Sequence, residues 1–150
     1  MPAIRILFLG DVVGEPGRKA VIEQLPLLKQ SEGLDFCIVN GENSAGGKGI
    51  TPRIAIDLLR AGAAVITTGD HVWDQQEIVD YFPTEPRLLR PLNYPEGTPG
   101  GGSGGVSPGR WAYCHSVESK VTPVARKMKR KGELIPLVTM ARPSNSSATS

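Results

Sequence analysis

Residues 4–11 read Ile4-Arg5-Ile6-Leu7-Phe8-Leu9-Gly10-Asp11, a run that is apolar but for Arg5 and is closed by a glycine and a carboxylate. Such a run suits a strand buried on both faces of a parallel sheet better than one side of an amphipathic hairpin. A central strand is expected over residues 4–10. After a turn over 11–17, the stretch 18–31 sets Ala20, Val21, Gln24, Leu25 and Leu28 near helical spacing, with a kink expected at Pro26. Residues 34–40, Leu-Asp-Phe-Cys-Ile-Val-Asn, read as a second strand. Thr51 followed by Pro52 signals a helix start, Ile54, Ile56, Leu58 and Leu59 supply its apolar positions, and Gly62 stops it. A third strand is expected over 63–68, a short helix over 74–82 with Asp74 as its cap, and a short fourth strand over 88–90. Alternating strands and helices build a parallel sheet through crossovers, so the fold class is α/β, with layers of helix on a mostly parallel sheet.

Composition narrows the function classes. The chain of 150 residues has 39% apolar side chains and 18 glycines, which is ordinary for a globular protein and excludes collagen, coiled coil and mucin-like stalk. Nothing in it approaches the roughly 20 apolar residues that cross a bilayer, so no membrane partner is expected. Cys37 and Cys114 form no C-x-x-C pair, and a reducing, cytoplasmic setting is the simpler expectation. The net charge of +2 hides an asymmetry: residues 1–94 hold 9 Lys+Arg against 12 Asp+Glu, whereas residues 95–150 hold 8 against 3. The second stretch opens Gly-Thr-Pro-Gly-Gly-Gly-Ser-Gly-Gly and later carries five cations in the six residues 126–131. Two regions are therefore expected, an α/β domain over 1–100 and a Gly/Ser-rich, then basic, tail over 101–150.

In open parallel sheets ligands bind beyond the carboxyl ends of the strands. Here those ends carry Gly10-Asp11, Gly41-Glu42-Asn43 and Gly69-Asp70-His71. Three carboxylates aimed into one crevice repel one another unless a cation neutralises them. Oxygen-rich ligands with some imidazole suit Mn, Fe, Mg or Zn, and two such ions can bind a phosphate and activate water for in-line attack. Glu42, on the middle strand, is the natural bridge between two ions, and His71 could protonate a leaving oxygen. A phosphate loop at Gly46-Gly47-Lys48-Gly49 is rejected, because Glu42 and Gly49 stand where that pattern needs Gly and Ser or Thr.

These segments, G-D-V-V-G-x-P-G-R at 10–18, N-G-E-N-S-A-x-G-K-G-I-T at 40–51, T-T-G-D-H-V-W-D at 67–74 and R-P-L-N-Y-P-E-G-T-P-G at 90–100, resemble the YmdB-like metallophosphoesterases of the calcineurin-like superfamily. The resemblance implies the amino-terminal part of an α/β sandwich whose two-metal centre hydrolyses phosphodiesters, notably 2',3'-cyclic nucleotides. It implies Asp11 on one metal, Glu42 bridging, Asp70 on the second, Asn43 near substrate, and His71 as the catalytic acid.

Two departures modify that expectation. The family usually has Asn where this chain has Asp70, and a carboxylate there adds negative charge that should tighten cation binding while weakening Lewis acidity. The family also draws metal ligands from histidines in its second half, whereas this chain has two histidines, His71 and His115. The carboxyl half therefore reads as truncated or frame-shifted, with weak or absent activity expected, and self-association expected to cover one sheet face. The alternative from another class is a non-catalytic metal- or nucleotide-binding regulatory module whose basic run contacts RNA.

Overall fold

The computed structural model describes residues 4–106 and the backbone of three further short strands at 112–115, 128–130 and 133–135. Four strands form one parallel sheet in the order β1 (Ile6–Leu9), β2 (Phe36–Asn40), β3 (Val65–Thr67) and β4 (Leu88–Leu89). Helix α1 (Gly14–Ser31) links β1 to β2, and α2 (Pro52–Arg60) links β2 to β3. Between β3 and β4 lie a 3-10 turn at Asp70–Trp73, the short α3 (Ile78–Tyr81) and a second 3-10 turn at Phe82–Thr84. Past β4 the described backbone pairs β5 (Ser103–Val106) with β6 (Ala112–His115), and β7 (Met128–Arg130) with β8 (Glu133–Ile135), both antiparallel. No helix of the described residues is long and apolar enough to cross a membrane.

Register assigns the two faces of the sheet. Pairing Leu7 with Cys37, Leu9 with Val39, and Ile66 with Leu88 puts these residues on the helix side, where Cys37, Val39, Ile66 and Leu88 join Val21, Leu25, Ala55, Leu58 and Ile78 in the main core. The alternate residues Phe36, Ile38, Val65 and Leu89 form a second apolar cluster on the opposite face. All four are at most 5% exposed within the single chain. The expectation that this face lies open unless another copy covers it is corrected on that point. On this face Phe8 is 38% exposed and Ile6 is half-buried.

The run over residues 4–10 forms a strand, but at the edge of the described sheet rather than its centre. An apolar run fixes neither burial nor neighbours: Ile6–Leu9 is half-buried with Phe8 exposed, contrary to the expected burial on both faces, and it is Phe36–Val39 that is buried throughout. Helix α1 begins at Gly14, four residues before the expected start. Pro16 sits in its first turn, where the missing N–H has no partner to lose, so the Gly-Glu-Pro-Gly segment that reads as a turn is helical. The helix continues through Pro26 to Ser31. Helix α2 starts as its sequence dictates, with Thr51 Oγ1 accepting from Ile54 N at 3.3 Å and Pro52 in the first position. The helix expected over 74–82 is corrected to the 3-10 turn, α3 and second 3-10 turn given above.

Arg90 follows β4 as a buried cation. Its guanidinium donates to the carbonyls of Pro91 at 2.9 Å, Pro99 at 3.1 Å and Thr98 at 3.3 Å, which folds the 90–100 segment back on itself. The chain then returns to the sheet, where Gly101 bridges Leu89 and Arg90 N donates to Gly101 O at 3.0 Å. Gly102 and Gly104 lie so close to Leu92 and Pro86 that a Cβ at either would come within 2.6 Å of their backbones. Of the basic run at 126–131, the described part is the backbone of Met128–Arg130; its other residues, with 116–127 and 136–150, lie outside the described residues.

Candidate active site

Parallel pairing of Leu9 with Val39 and of Asn40 with Thr67 brings the ends of β1, β2 and β3 to one rim, so the three glycine-plus-acid segments emerge side by side. The first two are stitched together. Val12 N donates to Asn40 O at 3.0 Å and Gly14 N to Asn43 O at 2.9 Å. Asn43 Nδ2 donates to Asp11 Oδ1 at 2.6 Å. Asp11 has φ 48°, the left-handed region that Asp and Asn tolerate better than other non-glycine residues. Its carboxylate is thus held by a neighbouring loop while its backbone turns sharply out of the strand.

The loop over residues 41–51 is internally bonded. Ser44, fully buried, donates through Oγ to Gly41 O at 2.6 Å, and Arg18 on α1 donates to Ser44 O at 2.6 Å. Gly46, Gly47 and Gly49 all have positive φ. Gly49 packs against the next segment so tightly that a Cβ would lie 2.8 Å from Gln75 Cγ, while Gln75 Nε2 donates to Lys48 O at 2.9 Å.

Glu42 stands at the middle of the rim. Its carboxylate lies over Gly69, where any Cβ would overlap its oxygen, so glycine at that position makes room for it. Burial raises the Glu42 carboxyl above the usual range, and Asp70 and, more weakly, Asp11 push the same way. A hydrogen bond from Asn40 and the field of His71 oppose the rise. Asp11, Glu42, Asp70 and His71 therefore share one electrostatic neighbourhood. Among the described residues, however, no group of three or more His, Cys, Asp or Glu side chains lies close enough together to hold a metal ion.

The turn after β3 carries the imidazole. Val72 is fully buried, and Trp73 packs its ring against Phe82 at 5.5 Å and edge-on to Tyr94 at 6.1 Å. His71 Nδ1 lies 2.9 Å from Asp74 Oδ2. In place of the helix cap expected of Asp74, its carboxylate is directed at the imidazole three residues earlier, and no helix starts after it until Ile78. Sequence reasoning gives no site role to Asn40, Arg18, Gln75 or this function of Asp74. For Asp74 the spacing becomes a signal only once the 3-10 turn is known, since His and Asp three residues apart eclipse one another there.

Comparison with known proteins identifies the family and the fold. A sequence model of the family described as YmdB-like protein matches residues 7–114. A Bacillus subtilis (strain 168) protein named 2',3'-cyclic-nucleotide 2'-phosphodiesterase is 54% identical over 99 residues, 66% of this chain and 38% of its own length. The crystal structure of a hypothetical protein from Thermus thermophilus aligns with a TM-score of 0.72 at 38% identity, covering 79% of this chain and 46% of that one. A crystal structure described as a novel phosphatase, from Mycoplasma pneumoniae, aligns with a TM-score of 0.73 at 30% identity, covering 87% and 48%. This chain spans about two fifths of the length of the Bacillus relative and under half of each solved chain. With the mixed α/β architecture and its parallel sheet, the match over residues 7–114 establishes that the chain belongs to the YmdB-like family.

Proposed function

We propose that this chain acts as a metal-dependent phosphodiesterase on 2',3'-cyclic nucleotides or related small phosphodiesters. The observation that carries the reading is the parallel register that brings Asp11, Glu42 and Asp70 to adjacent strand ends, with Asn43 bonded to Asp11 and the Glu42 carboxylate seated over Gly69. Burial first, and the neighbouring carboxylates after it, raise the Glu42 carboxyl, and a cation beside it would stabilise its ionised form. The name of the Bacillus relative supports the choice of substrate class.

The donor types of the rim, three carboxylates on three adjacent strand ends with an imidazole beside them, suit divalent or iron-type ions such as Mn, Fe, Mg or Zn, and side-chain movement would have to draw them together around an ion. Asp11 and Asp70 would each hold one of two ions and Glu42 would lie between them. When bound, such ions supply charge neutralisation at the phosphate and an acidified water. The remaining work falls to the chain's own residues. Asn43 keeps Asp11 in place through its 2.6 Å hydrogen bond and offers its amide toward substrate. Gly69 leaves the space that the Glu42 carboxylate fills. His71 delivers a proton to the leaving oxygen.

The test is release of p-nitrophenol from bis(p-nitrophenyl) phosphate by the full chain, with and without Mn²⁺, beside Glu42→Gln. The expected result is Mn²⁺-dependent turnover that falls by about 100-fold or more in the variant, the scale on which loss of one stabilising charge at a reacting group acts. Equal rates in both proteins would overturn the role of Glu42.

A further inference from the structure

Glu42 and Asn43 reach the rim on a loop whose internal bonds fix its shape but not where it sits. We propose that Arg18 is a positioning residue for that loop, gripping Ser44 O from α1 so that Glu42 and Asn43 stand in register with Asp11. The inference rests on the reading of these three residues as working groups of the rim, and it comes from three features around Arg18.

The first is a buried acceptor. Ser44 N and Ser44 Oγ both donate to Gly41 O, at 3.1 and 2.6 Å, which closes the turn by itself. Ser44 is fully buried, and among the described residues no backbone N–H donates to its carbonyl. Arg18 Nη1, at 2.6 Å, supplies the bond that a buried C=O requires. The second is the cation. Arg18 is half-buried and has no ion-pair partner among the described residues. Its charge is directed at a loop carbonyl, and a charged donor makes a bond about twice as strong as a neutral one. The third is the company it keeps. Arg18 lies about one helical turn past Gly14, whose N–H donates to Asn43 O at 2.9 Å, and Asp11 just before them accepts from Asn43 Nδ2 at 2.6 Å. One stretch of chain, residues 11–18, thus holds Asn43 by backbone and side chain and Ser44 by its carbonyl.

The shape of the loop does not depend on this contact. Ala45 N donates to Gly49 O at 2.9 Å and Gly47 N to Asn43 O at 3.1 Å, and neither bond involves α1. Placement of the loop against α1 is left to Arg18 and the Asn43 bonds, and that placement decides how Glu42 stands relative to Asp11.

The direct test is amide hydrogen exchange of the metal-free full chain, read by NMR at Gly14, whose N–H ties α1 to the loop, and at Ala45 and Gly47, whose N–H groups bond inside it. In Arg18→Gln the Gly14 amide should exchange about 10-fold faster than in wild type, with Ala45 and Gly47 within about twofold, because the loop loosens as a unit and keeps its shape. Arg18→Lys, which keeps a charged donor, should restore part of the Gly14 protection. An unchanged Gly14 amide, or equal acceleration of all three amides as a merely structural role would give, overturns the proposal. Should Arg18→Gln fail to fold, the same comparison is read from Arg18→Lys against wild type, with Gly14 again expected to quicken more than the two internal amides.

Kinetics provide the second readout. With bis(p-nitrophenyl) phosphate and Mn²⁺, Arg18→Gln should lower kcat by about 10-fold with KM within about twofold, and Arg18→Lys should recover part of it, the scale on which a displaced reacting group acts. A kcat equal to that of wild type would overturn the role of Arg18 in placing Glu42. If the wild-type chain shows no hydrolysis, the phosphodiesterase reading fails, while the exchange pattern still decides whether Arg18 places the loop.

Discussion

Two neighbouring segments of the same rim are built by different means. The loop over 41–51 after β2 is held largely by its own backbone: Ser44 N donates to Gly41 O, Ala45 N to Gly49 O and Gly47 N to Asn43 O, and three glycines of positive φ turn it. The turn over 69–75 after β3 is held by side chains, with Val72 in the core, Trp73 on Phe82 and Asp74 on His71. The comparison teaches that a loop punctuated by glycine announces itself in the sequence, whereas a turn fastened by side chains does not. It also implies that damage to the two should differ in kind, since a change in the first alters where backbone lies and a change in the second alters where reacting groups point.

The largest effect is expected at the junction between the two. Gly69 has negative φ, outside the left-handed region that favours glycine, and what its added Cβ would strike is the end of the Glu42 side chain. Gly69→Ala should therefore fold, yet lose about 100-fold in Mn²⁺-dependent phosphodiester hydrolysis, because displacing a reacting group by about 1 Å has that scale of cost. A variant with unchanged rate would show that the position of Glu42 is immaterial.

Next comes the glycine loop. Gly49→Ala must accept φ 75° and place a Cβ 3.2 Å from two backbone atoms, Gln75 N and His71 O. Strain and overpacking together should cost about 2–3 kcal/mol in urea unfolding. Gly47, at φ 100°, has open space around its Cβ position, and its alanine variant should carry the strain alone, about 1 kcal/mol or somewhat more. If the two variants are equally destabilised, the contact between the loop and the turn contributes nothing.

How far the sequence discloses this molecule follows the same division. Strands β2 and β3 are legible because each is an apolar run ended by glycine, and α2 because Thr51-Pro52 is a cap that works locally. The rim acids are legible because they follow those strands. The edge position of β1 is not, since pairing order depends on residues far along the chain. The early start of α1 is hidden by Gly14, Pro16 and Gly17, which signal turns yet are tolerated in a first helical turn. The 3-10 turn escapes because Asp74 carries the same cap signal whether its carboxylate serves a helix or an imidazole, and only the packing of Val72 and Trp73 selects between them. The hydrogen bond from Asn43 to Asp11 joins residues 32 apart and has no local signal.

The smallest effect is expected away from the rim, at a pair that gives a control for surface charge. Arg87 bonds both carboxylate oxygens of Glu85, at 2.8 and 2.7 Å, and holds the Glu85 carboxyl below its usual range. A depressed carboxyl contributes stability above the ordinary glutamate pKa, and that contribution is lost as pH falls through the lowered value. Glu85→Gln should therefore cost less than about 1 kcal/mol at neutral pH, with the gap to wild type closing in acid. A gap that widens in acid would contradict the pairing.

The central claim is that Asp11, Glu42 and Asp70 act as one cation-binding rim. Calorimetric titration of the full chain with Mn²⁺, repeated on Glu42→Gln and Asp70→Asn, tests it most directly. Saturable binding to the wild type is predicted, weakened by about 10-fold or more in each variant, since each removes one negative charge from the shared neighbourhood. Binding that is absent, or equally strong in all three proteins, would contradict it.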